Sequence, residues 1–273
     1  MNIAKIVAAL LAVTIATLGA TLARAADAAS EPPPESAAPA DEWTFTLAPY
    51  LWAAGIQGDI GLFGRQPIEV DMSFGDIFSD LRFGGMLVGE LHNGTWGLFG
   101  DLIYVKTEAD RSIGRTVGGV PLTLAASLET TSVIGTVMGE YRALSTPTAT
   151  LDLMAGARIW SVENDIGVAL VADGPALAAF SGSDGRAWVD PMVGARARFN
   201  IDSSWYLTGW GMVGGFGAGS EITWDVLGGV GYQWNEFLSV VAGYRALGVD
   251  YENDGFVYDI VQHGPILGVV MRF

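Results

Sequence analysis

The sequence predicts an all-β protein, a transmembrane antiparallel up-and-down β-barrel of about ten strands. Three observations predict it. Apolar residues recur at period two in a regular series of segments, the mark of strands with one greasy face. Beyond the first 25 residues no stretch of 18 is free of polar interruption, so helices cannot do the crossing. Composition also departs from that of a soluble domain. Gly is 37 of 273 residues, about twice the usual share. Charged residues are 16%, against a usual level of about 25%. Eight or twelve strands also fit, because 55–72 and 112–128 can hold additional strand.

Residues 1–25 read as a cleaved signal peptide. Lys5 gives a positive start, Ile6 to Leu18 is an apolar run, and Ala23-Arg24-Ala25 is a small-x-small cleavage site. Residues 26–42, ADAASEPPPESAAPADE, are too rich in Ala, Pro and Glu to bury a core and read as a disordered linker. The folded part is therefore 43–273, one domain by size for a barrel. There is no Cys, hence no disulfide and no lipoprotein attachment. The net charge is −16. Removing 1–25 takes away Lys5 and Arg24 and no acid, which leaves 12 basic and 30 acidic residues, net −18. That balance excludes nucleic acid as a partner, and binding to anionic surfaces by charge alone.

Ten strands follow in order: Trp43–Ala53, Phe83–His92, Trp96–Thr107, Thr131–Arg142, Leu151–Trp160, Trp188–Phe199, Trp205–Phe216, Ile222–Trp234, Leu238–Val249 and the final stretch, DGFVYDIVQHGPILGVVMRF. In Trp96–Thr107, Trp96, Leu98, Gly100, Leu102 and Tyr104 share one face, and Phe99, Asp101 and Ile103 the other. Short turns are expected near 92–95, where Asn93-Gly94 is a hairpin signal, and near 143–148, 200–204 and 235–236. Longer loops are expected near 55–82, 108–128 and 161–187, with connections at 217–221 and 250–255. Short turns alternating with longer loops and an even strand count suit a barrel whose ends return to one side. Trp96, Tyr141, Phe199, Trp205, Tyr232, Trp234 and Phe273 all fall near a short turn or the chain end, as an interfacial aromatic girdle requires.

Two resemblances sharpen this reading. The last strand, which ends on Phe273, resembles the closing strand of bacterial outer-membrane barrels; the resemblance implies recognition of that strand by the barrel-assembly machinery. The segments APYLWAAGIQGDIG, WGLFGDLIYV, LDLMAGARIW, DPMVGARARF, LTGWGMVGGFG and DGFVYDI are similar to a proteobacterial family of outer-membrane β-barrel proteins without an assigned activity. This resemblance spans 43–273. It implies the fold, location in the outer membrane, and contact with its lipid and lipopolysaccharide. It brings no catalytic residues.

The candidate site is the set of charges on the mixed strand faces: Glu90, Asp101, Glu140, Arg142, Asp152, Arg158, Asp190, Arg196, Arg198, Asp225 and Arg245. All point into the lumen if the apolar faces meet lipid. They form either a packed, salt-bridged interior or a narrow polar pathway for solutes. Ser73–Arg82 reads as a short helix, with Ser73 and Asp76 as a capping signal, lying in the mouth as a plug or on a loop. Loop acids Asp71, Asp76 and Asp80, and Asp250, Glu252, Asp254 and Asp259, read as solvated charge without the spacing of a Ca²⁺ motif. Catalysis is not expected. Only His92 and His263 could serve as a His base; His263 shares its phase with Pro265 and faces lipid unless a bulge turns it inward. No phosphate loop or metal pattern is present, so no cofactor is expected. The expected role is non-enzymatic, with an enzyme acting on lipid or peptide and loop-mediated adhesion as the alternatives.

Overall fold

The computed structural model describes residues 43–62, 64–117, 120–172 and 176–273. The signal peptide and linker expected over 1–42 lie outside the described residues. The elements are β1 (Thr44–Trp52), β2 (Gly55–Gly61), β3 (Ile68–Met72), α1 (Phe74–Asp80), β4 (Leu81–His92), β5 (Trp96–Val117), β6 (Val120–Ser145), β7 (Ala149–Ala172), β8 (Ala176–Asn200), β9 (Trp205–Gly215), β10 (Ile222–Gln233), β11 (Leu238–Asn253) and β12 (Phe256–Arg272).

β1 and β4 to β12 pair in sequence order, and β1 pairs β12 to close a ten-stranded antiparallel barrel. Closure removes the free edges that an open sheet would present to lipid. β2 and β3 extend the wall on one side. Thr46↔Arg272, Trp52↔Ile266 and Gly55↔His263 keep a single register, so β1 and β2 are one kinked strand against β12. On its other edge this strand pairs β4 through Thr44↔His92 and then β3 through Ile56↔Met72. Residues 73–80, which hold α1, are the extra stretch between those two ladders.

α1 begins as its sequence signal requires. The Asp76 amide donates to Ser73 Oγ at 3.3 Å, and the Ser73 amide donates to the Asp76 carboxylate at 3.0 Å. None of its residues is buried, and Phe74 packs against Phe78 in the open, the rings tilted by 39°. The helix lies on the wall and does not plug the mouth.

The turns at 93–95, 146–148, 201–204 and 234–237 gather at one end. The first falls at the Asn-Gly signal but is centred one residue later, on Gly94-Thr95: the Asn93 amide donates to the Trp96 carbonyl at 3.0 Å, Gly94 has φ of 90°, a conformation that costs Gly nothing, and Asn93 Oδ1 accepts from the Trp96 amide at 2.8 Å. Aromatics pair around this end, all exposed but the half-buried Tyr232: Trp96 with Tyr141 and Trp205 with Tyr232, both at 4.9 Å, and Phe237 with Phe273 at 5.0 Å. Above them the outer face carries Leu98, Leu102, Val137, Leu153, Val193, Val226 and Leu267, all exposed. This apolar band meets the first outward-facing charges at Lys106 and Glu129, which pair at 2.7 Å across β5 and β6.

Two expected loops are corrected. Residues 108–117 and 120–128 continue β5 and β6, and 161–172 and 176–187 continue β7 and β8. These four strands run 22 to 26 residues, well beyond the roughly 9–11 that cross a bilayer. They project as a four-stranded sheet. Alternation does persist there, but Gly, Ala and Ser dilute it to a contrast close to that of a loop. The stretch 55–72 likewise holds strand, as β2 and β3, which lengthen the wall without adding barrel strands.

Candidate functional site

All eleven candidate charges lie on the inner face of the barrel, and they fall into levels. The middle level is a closed network. Asp225 on β10 accepts from Arg158 Nη2 at 2.6 Å, from Arg245 Nη2 at 2.7 Å and Nε at 3.1 Å, and from Trp210 Nε1 at 3.0 Å. Arg245 on β11 reaches across to Asp101 on β5 at 2.6 Å and to the Tyr50 hydroxyl on β1 at 2.7 Å. Tyr50 in turn donates to Asp101 at 2.7 Å. Arg158 on β7 also donates to Thr136 on β6 at 2.9 Å. Arg158, Asp225 and Arg245 are each 0% exposed. Seven strands thus meet around two arginines and two aspartates, and the bonds span the lumen from wall to wall. Buried charges are tolerated when paired and hydrogen-bonded in this way.

On the projecting-sheet side of this network the lumen is filled by rings. Trp188 stacks on Tyr251 at 3.9 Å and on Trp160 at 5.6 Å, with Tyr258 and Phe256 packed against them. All five are buried. Asp190 belongs to this level. It accepts from Trp188 Nε1 at 3.2 Å and from the Ser220 amide at 2.7 Å, so it fastens the β9–β10 turn to β8.

On the short-turn side the charges thin out. Arg196 pairs with Glu90 at 2.5 Å and Glu140 at 3.3 Å, and Arg142 grips Asp152 with two bonds of 2.6 and 3.1 Å. His92 is buried beside them, its Nδ1 accepting from the Gly94 amide at 2.7 Å. Arg198, nearest the turns, makes no ion pair among the described residues. Below the network these groups surround a cavity of about 790 Å³ that reaches the short-turn end.

The candidates comprise six acids and five arginines, so the interior is close to neutral. The net charge of −16 therefore lies outside it. His263 stays on the outer face. The pairs Tyr244↔Pro265, Arg245↔Gly264 and Ala246↔His263 run without a bulge, and His263 Nδ1 is 2.6 Å from the Tyr244 hydroxyl. It reaches none of the lumen acids.

Sequence reasoning missed Tyr50, Thr136 and Trp210 as members of the network, and the ring cluster as a filling. The available signal was phase. Trp210 shares the inward parity of Met212, and Trp188 that of Asp190. Parity names the face; it does not say which side chains meet across a lumen.

No family model and no curated protein matches the chain. Solved structures do match its fold. The outer membrane protease OmpT from Escherichia coli is 11% identical, with 86% of this chain and 97% of that chain covered and a TM-score of 0.52. The translocator domain of the autotransporter NalP from Neisseria meningitidis is 13% identical, covers 85% of this chain and 89% of its own, and has a TM-score of 0.40. The attachment invasion locus protein Ail of Yersinia pestis is 12% identical, with coverages of 85% and 98% and a TM-score of 0.34. At 11% identity the likeness to OmpT is one of architecture: this chain has the fold of an outer-membrane β-barrel.

Proposed function

We propose that this protein is a non-enzymatic barrel of the outer membrane, closed to solutes at its middle, which carries the projecting β5–β8 sheet on its external side. The apolar outer band meets lipid, and the charged residues above it face lipopolysaccharide. The observation that carries this reading is the Arg158–Asp225–Arg245–Asp101 network, fully buried and bonded across the lumen, with the Trp160–Trp188–Tyr251 stack filling the space beside it. A narrow barrel filled by side chains leaves no aqueous path. Against catalysis, His263 stands outside the barrel and away from every inward acid, and His92 is buried beside an Asp152 that Arg142 already holds.

Conductance in a planar bilayer tests the closed lumen. Protein shown to be folded by heat-modifiable gel mobility is expected to stay silent. Stable ion-selective steps would replace this reading with a narrow solute pathway. The projecting sheet favours surface binding as the positive role, because Ile113, Leu124 and Phe180 stand exposed on it.

A further inference from the structure

The closed network divides the lumen, and the part on the short-turn side is a blind vestibule. Its volume, about 790 Å³, lies in the range of roughly 300–1,000 Å³ typical of small-molecule sites. Trp210, Leu227 and Ile266 line its inner end, next to the Arg245 network. We propose that this vestibule binds a small soluble polyanion bearing phosphate or carboxylate groups, held by Arg198 together with Arg272.

Charge placement carries the inference. Four arginines line the vestibule: Arg142, Arg196, Arg198 and Arg272. The two deeper ones are neutralised, Arg142 by Asp152 and Arg196 by Glu90 and Glu140. The two nearer the mouth are not: among the described residues no carboxylate pairs with Arg198 or Arg272. Asp202 at the lip is already committed to its own turn, accepting from the Ser204 and Trp205 amides at 2.7 and 2.8 Å.

Arg198 is nonetheless held in place. Its Nε donates to Asn200 at 3.0 Å and its Nη2 to Gln233 at 2.8 Å. Its guanidinium sits 3.6 Å from the centre of the Tyr206 ring, and the Tyr206 hydroxyl is 2.9 Å from Ser239 Oγ. Neutral partners and a ring thus orient the fork without cancelling its charge, and Nη1 is left for a ligand. An oriented guanidinium is suited to an oxyanion, because its donors match the spacing of carboxylate or phosphate oxygens. His92 in the same wall is turned away from this role: its Nδ1 accepts from the Gly94 amide and its Nε2 lies 3.7 Å from the Asp152 carboxylate. At this mouth Arg198 and Arg272 stand without an ion pair beside a single acid, Asp202, whose carboxylate is turned to its own backbone amides.

Isothermal titration of the folded full chain in an uncharged detergent tests this, with inorganic pyrophosphate and citrate as probes. At least one probe is expected to bind and to weaken with added salt. Arg198→Gln is expected to weaken it about tenfold or more, the loss of a charged hydrogen-bonding group. Arg272→Gln gives a smaller loss, and it serves as the readout if Arg198→Gln fails to fold by gel mobility. Absence of binding of either probe at millimolar concentration would overturn the site, as would binding that both variants leave unchanged. Conductance by the same protein would refute the closed lumen while leaving an observed anion site in place.

Discussion

β5 carries two isoleucines on the same inward face, ten residues apart, with opposite fates. Ile103 is 3% exposed and Ile113 is 74% exposed. No bulge separates them: Ile103 pairs Ile134 and Ile113 pairs Leu124 in one unbroken ladder with β6. Within the closed barrel the inward face meets other inward faces, and Ile103 joins a core with Trp160, Leu247 and Ile260. Beyond the rim the same four strands continue, but β4 and β9 do not follow them. The inward face of the projecting sheet then has nothing opposite, and Leu124 and Phe180 stand exposed with Ile113. Alternation chooses a face for each side chain; closure decides whether that face becomes an interior.

The largest expected effect lies in the closed part. Asp225→Ala leaves two buried guanidiniums short of their shared acid and is expected to destabilise the barrel by about 3–5 kcal/mol. The readout is the urea midpoint in lipid vesicles followed by gel mobility. An unchanged midpoint would show that the central network does not hold the closed barrel together.

The two isoleucines give the direct contrast. Ile103→Ala is expected to cost about 2–5 kcal/mol through the cavity it leaves, and Ile113→Ala to stay within about 0.5 kcal/mol. Equal costs would mean that the projecting sheet is covered in the folded protein, and the comparison would fail.

The smallest effect is at the turn end. The Trp205 amide, and after it the Ser204 amide, hold the Asp202 carboxyl below its ordinary range by donating to the charged form. A carboxyl with a lowered folded value adds stability above its unfolded value of about 4, and that stability goes as pH falls through the lowered one. Asp202→Asn is therefore expected to shift the wild-type unfolding midpoint near neutral pH and to lose its effect below about pH 3. A difference that grows on acidification would reverse the sign and overturn the assignment.

Much of this was legible in the chain. Period two located the ten barrel strands, and parity put Asp101, Arg158, Asp225 and Arg245 on the inward face. Asn93-Gly94 and the Ser73–Asp76 pair marked a hairpin and a helix start, because both signals act over a few residues. The projecting hairpins were harder to read. Residues 108–128 and 161–187 alternate too, but their small residues lower the contrast that separates strand from loop. The vestibule was out of reach, since Arg198 differs from Arg196 only in what stands opposite it.

The sequence by itself determined the strands, their order, their two faces and the neutral balance of charge on one of them. Those follow from backbone geometry and from the chemistry of neighbours along the chain. Only the tertiary structure decided that Arg245 meets Asp101 across 144 residues, that the lumen is filled at its middle, and that a blind vestibule with two arginines outside any ion pair remains on the short-turn side. These depend on how far the closed sheet brings opposite walls together, a distance that no single strand encodes.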